Sequence, residues 1–156
     1  MLTLNYDKTH FWQFSTKTDY EINMQVSFGD RKLATARSLT FLGLTIDTNL
    51  TWMCHVSELT TRLNKACYAI RSIRPFMSLD VLRSTYFSYA HSIISYGIIF
   101  WGNSSHGEEI FKVQKRIIRI IMNFSKNASC WQPFKEFKEL NILPVPIYTF
   151  STLISY

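Results

Sequence analysis

Four cations stand at helical spacing near the middle of the second half of the chain: Lys112, Lys115, Arg116 and Arg119. They share one helical stripe, no acid falls between Lys112 and Lys126, and Lys126 extends the run. Like charges packed this way repel unless they are solvated or face an anion. A solvated helix face is one reading. The other is a row that tracks a phosphate backbone, which positions nucleic acid without reading its sequence. The formal net charge of +6 and the pI near 9.3 agree with a polyanionic partner.

Other reactive side chains are scattered. The aspartates are Asp7, Asp19, Asp30, Asp47 and Asp80, and no two are adjacent. A two-metal centre needs carboxylates that converge, so no metal and no bound cofactor is expected of this chain. His55 and Glu58 lie three apart on one helical face. They could begin a metal site but have no third ligand in view, and a surface pair is the plainer reading. Cys54, Cys67 and Cys130 lack zinc-site spacing. They read as reduced, mostly buried thiols, which with no secretory signal points to the cytoplasm or nucleus rather than secretion. No phosphate-binding glycine loop or nucleophile elbow occurs.

The elements that must position these residues fall into two halves. A chain of 156 residues, 47% hydrophobic, is long enough for one real core. Before residue 50 the pattern is that of strands. His10–Phe14 is aromatic, and Ile22, Met24, Val26 and Phe28 alternate with polar residues. Gly29-Asp30 is a hairpin signal, Arg31–Ala36 the return arm, and Leu39–Ile46 a buried strand. Together they predict a small antiparallel sheet of three or four strands.

From Thr51, a candidate N-cap, the period becomes helical: Val56, Leu59, Leu63, Ala66, Ile70 and Ile73 form one stripe that Pro75 ends. Arg62, Lys65, Arg71 and Arg74 fall on both flanks of that stripe and do not form a single face. A second helix is expected from Leu79 to Phe100, apolar almost all round. A membrane-associated protein through 79–100 is an alternative, but Ser84, Ser88, His91, Ser92 and Ser95 favour the centre of a bundle and no membrane contact. Ser105 and Glu108 match a capping box for a third helix running to about Phe124. Its apolar face is Ile110, Val113, Ile117, Ile120, Ile121 and Phe124. A short helix from Ser129 to Leu140 and a last one from Pro146 follow. The last reaches Tyr156 uncapped, as if the chain were cut off there. The fold class is therefore α+β, with a sheet-bearing region over 1–50, a helical region over 51–143 and the start of a further helix over 144–156.

Three stretches, in this order, resemble the reverse transcriptase of LINE-type (non-LTR), jockey-like retrotransposons. Leu4-Asn5-Tyr6-Asp7-Lys8-Thr9 resembles polymerase motif D. Phe41-Leu42-Gly43-Leu44-Thr45-Ile46-Asp47, followed by Leu50-Thr51-Trp52, resembles the primer grip that leads into the thumb. Tyr96-Gly97, Trp101-Gly102 and the helix with Gln114-Lys115, Arg116 and Arg119 resemble the helical region beyond it. The resemblance implies the end of a polymerase palm followed by a thumb-like bundle, from a mobile element. Lys8 would lie near the phosphates of an incoming nucleotide, and Phe41, Leu42 and Gly43 near a primer end. The family's catalytic aspartates lie upstream of motif D, so this chain is expected to be inactive alone, with Mg²⁺ needed only by the complete polymerase. Its expected partners are the backbone of an RNA/DNA duplex and the rest of the polymerase, its missing palm and fingers. A non-enzymatic basic helical module that docks another protein is the other class of function the residues allow.

Overall fold

The computed structural model describes residues 9–14, 24–29, 31–124 and 133–154. The chain divides into two compact units, Met1–Cys54 and His55–Tyr156. The first carries β1 (His10–Phe11), β2 (Ser27–Phe28), β3 (Arg31–Lys32), β4 (Ala34–Thr35), β5 (Ser38–Phe41) and β6 (Leu44–Asp47). Helix α1 (Met53–Ile73) starts at its end. The rest comprises α2 (Leu79–Thr85), α3 (Ser92–Ser95), α4 (Ile98–Trp101), α5 (Gly107–Ile121), α6 (Pro133–Glu139) and α7 (Val145–Ile154).

The strands differ from expectation. Among the described residues they form three two-stranded ladders rather than one antiparallel sheet. The Gly29 hairpin is present, pairing Ser27 with Lys32 and Phe28 with Arg31. The return arm then breaks into two short pieces, and β4 pairs in parallel with β1. Leu39–Ile46 is itself a hairpin and not one buried strand: Phe41 pairs with Leu44 and Ser38 with Asp47. Leu42 (φ +48°) and Gly43 (φ +74°) make its two-residue turn. Positive φ at both central positions is what the primed hairpin turns require, and glycine meets it without strain. Alternation in this region marks a pleat without fixing which strands pair.

Asp47 joins the hairpin to the helix. Its carboxylate accepts from the Thr51 hydroxyl (2.6 Å), the Thr51 amide (3.1 Å) and the Trp52 amide (3.0 Å). Those bonds hold Leu50 and Trp52 at positive φ, +54° and +63°, where L residues are costly. Partial burial works to raise the Asp47 pKa, but the bonds from Thr51 and Trp52 win and hold it below the ordinary value. Thr51, the expected cap, reaches the first helical amide of Met53 only at 3.4 Å; Asp47 is the main acceptor.

Helix α1 buries the stripe read from its period: Val56, Leu59, Leu63, Ala66 and Ile70. Each of the Val, Leu and Ile side chains contributes roughly 1.5–3 kcal/mol when fully buried. Pro75 ends it in a short 3₁₀ turn, Arg74–Phe76. The expected helix over 79–100 is interrupted twice. Tyr86–His91 winds as a wider π turn, and at Tyr96 (ψ +116°) the chain leaves the helix before α4. No helix among the described residues is long and apolar enough to cross a membrane.

The core of this unit gathers around Trp101, Tyr86, Ile94, Ile110, Ile117 and Phe137, all buried. Trp101 donates its indole N–H to the Tyr96 carbonyl at 3.1 Å, and His55 lies 6.4 Å away, ring centre to ring centre. The Ser105 capping box does not form. Helix α5 begins at Gly107, preceded by His106 without a side-chain cap. Gly102 and Gly107 crowd this corner: a Cβ on Gly107 would stand 2.7 Å from the Gly102 carbonyl oxygen, and one on Gly102 would stand 2.6 Å from the Ile98 carbonyl and from the Thr149 hydroxyl. The helix starts one residue later than the cap signal suggested, with His106 and not Ser105 at the N-cap position.

One buried side chain ties the unit together. Gln114 donates to the Tyr86 hydroxyl (2.8 Å) and the Leu143 carbonyl (3.0 Å), and accepts from the Val145 amide (2.9 Å). It thereby links α5 to the π turn and to the start of α7. Burial pushes the Tyr86 hydroxyl up to about 12, with the bond from Gln114 opposing.

Candidate nucleic-acid interface

Helix α5 is built for two environments. Ile110, Val113, Ile117, Ile118 and Ile121 are buried along one side, while Lys112 and Arg116 are exposed and Lys115 and Arg119 half-buried along another. Ile118 and Gln114 join the buried side, whereas Ile120 is half-buried and Phe124 exposed. The buried face therefore differs from the expected one by a rotation about the helix axis that brings in Gln114 and Ile118 and leaves out Ile120. The helix ends at Ile121, and Asn123, at φ +61°, turns the chain so that the Phe124 amide bonds back to the Arg119 carbonyl at 2.9 Å.

Lys112, Lys115, Arg116 and Arg119 line one groove of about 650 Å³. Arg71 of α1 completes the cationic lining, and Ile120 and Phe124 supply an apolar end. No acid lines it. Two of the cations are held in place. Arg116 Nη1 donates to Asn64 Oδ1 of α1 at 3.1 Å, and the Lys115 ammonium sits 4.6 Å from the centre of the Phe111 ring. Cys67 is buried close by. Burial pushes its thiol up, while Arg71 and Arg116 work in the opposite direction. Like charges at i, i+3 and i+4 repel by roughly 0.2–0.5 kcal/mol per pair on a solvated helix. A groove lined by five of them therefore favours an anion.

Lys8 and Lys126 lie outside the described residues. Phe41, Leu42 and Gly43 belong to the first unit and form the tip of the β5–β6 hairpin, with Phe41 and Leu42 59% and 72% exposed. His55 is buried, while Glu58, expected with it at the surface, is exposed. Burial lowers the His55 pKa, with Glu58 opposing and Arg62 assisting. Among the described residues no group of three or more His, Cys, Asp or Glu side chains converges as a metal site would require. Sequence reasoning left Arg71 on a flank and did not see Asn64. The signal was available, because Asn64 and Arg71 are two turns apart on one face of α1. Gln114 was noticed only within the resemblance, and its partners are too far along the chain for spacing to disclose.

No family model, curated protein or solved structure matches the chain.

Proposed function

We propose that this chain holds nucleic acid by its phosphate backbone, without reading sequence, as the palm end and thumb of a LINE-type reverse transcriptase would, and that it does not polymerise by itself. The observation that carries the proposal is the groove in which Arg71, Lys112, Lys115, Arg116 and Arg119 converge with no acid among the lining residues. The exposed hairpin tip at Phe41 and Leu42 is consistent with a gripping element, and the 156 residues contain no adjacent aspartates for a metal pair. In this reading Lys8 keeps the motif D position, and the catalytic carboxylates belong to the polymerase segments upstream of that motif.

The test is fluorescence anisotropy with labelled oligonucleotides across a salt series. Replacing Lys115, Arg116 and Arg119 together with Gln should weaken binding at least tenfold and reduce the slope of log K against log salt by about two to three, at roughly 0.7–0.9 per lost phosphate contact. Unchanged affinity and slope would refute it. With template, primer and Mg²⁺ the chain should extend no primer. A second reading, a protein-docking module, draws on the exposed apolar residues of α7: Ile147, Phe150, Leu153 and Ile154. It gains ground only if the triple Gln variant binds nucleic acid as well as the parent chain.

A further inference from the structure

The groove carries more than charge. Phe124 lines it and is 37% exposed, and its backbone is fixed by the bond to the Arg119 carbonyl. On the α1 side, Asn64 bonds Arg116 and Arg71 lines the groove. Tyr68 falls between them at i, i+4 and i+7, on the same helical face. It is 72% exposed, although a tyrosine ring on a helix normally buries at least part of its face. One aromatic ring, Phe124, thus lines the groove with its cations, and a second, Tyr68, stands exposed on the α1 face that supplies Asn64 and Arg71.

In a duplex the base faces are stacked on one another, and a backbone-holding groove meets only phosphate and sugar. Aromatic rings beside such a groove then have no counterpart. A single strand offers both partners at once, phosphates to the cations and unstacked base faces to the rings. We infer that the groove takes single-stranded nucleic acid in preference to duplex, with its phosphates along Arg71, Lys112, Arg116 and Arg119 and its bases on Tyr68 and Phe124. This rests on the nucleic-acid reading of the groove and adds the form of the ligand to it. The rings see base faces and not base edges, so little discrimination among bases accompanies the preference.

The experiment compares a labelled 20-nucleotide oligothymidylate with a hairpin duplex of equal phosphate number, using the full chain. The strand should bind about tenfold tighter. Tyr68→Ala, at an exposed site where the fold has nothing to lose, and Phe124→Leu, which keeps apolar bulk, should each weaken strand binding about tenfold. Both should leave duplex binding and the salt slope unchanged. Equal affinity for strand and duplex, or a Tyr68→Ala variant that binds the strand like the parent, overturns the inference. Duplex binding that the triple Gln variant abolishes, with no response to the aromatic substitutions, would overturn this inference and leave the proposed function standing. Absence of binding to either ligand would overturn both.

Discussion

The two units of this protein are held together by different means. The helical unit is knitted by side chains distant in sequence: Gln114 reaches Tyr86 and Val145, Arg83 donates to the Leu140 carbonyl, and Trp101, Ile117 and Phe137 are buried. Apart from the parallel β1–β4 pairing of His10 with Ala34 and Phe11 with Thr35, the described bonds of the strand-bearing unit join residues close in sequence. Its ladders span two to four residues per strand, and the Asp47 clamp acts within five residues. Leu44, Thr45 and Trp52 are buried there. Long-range burial makes a unit cooperative, whereas local bonds fix conformation without committing distant segments to one another.

That contrast can be broken at three points. The largest effect is expected at Gln114→Ala, which strips partners from the buried Val145 amide and Leu143 carbonyl and leaves a void. A loss of about 3 kcal/mol is expected, or roughly 10 °C in thermal unfolding followed by circular dichroism. Amide exchange should quicken in α7 and around Tyr86 as well as in α5. If α5 alone responds, the unit is not knitted as described.

Asp47→Asn should be milder, about 1 kcal/mol, the usual worth of such a cap. Its effect on amide exchange should stay within residues 47–56. The pH dependence has a definite sign. The folded-state pKa of Asp47 lies below the ordinary 3.8, so its contribution is full above that value and fades as pH falls through the folded pKa. The Asn variant should lack this acid-side component, and a titration in which parent and variant run parallel below pH 4 would contradict the clamp. The smallest effect belongs to Leu42→Asn. Asparagine tolerates left-handed backbone better than leucine, so the hairpin should gain about 0.5 kcal/mol, read as slower exchange at its ladder amides. The same variant removes one apolar side chain from the tip, so weaker nucleic-acid binding alongside greater stability would assign the strained leucine a gripping role.

Legibility from sequence followed the same divide. The α1 stripe from Val56 to Ile70 and the buried side of α5 were readable because helical period reports burial directly. The change of character near Leu39–Trp52 was readable too, as was the hairpin at Gly29. The Leu42-Gly43 turn was missed because leucine in the first turn position hides the usual Asn-Gly signature. The break at Tyr96 and the unused Ser105 cap were missed because packing, not propensity, decides them. For the site, spacing disclosed the cationic row on α5, but Arg71 joins it only once α1 and α5 are packed side by side.

The corner between α4 and α5 has one last consequence. Two hydrogen atoms are all that the space at Gly102 and Gly107 admits, and the amide at Gln114 satisfies three neighbours that no hydrocarbon could. Any other chain that folds this way is thus obliged to carry Gly, four arbitrary residues, Gly, six more and an amide, even where every surrounding position has drifted. The string offers a means of spotting distant kin, and a relative with alanine at either glycine would have to route its chain differently through this corner.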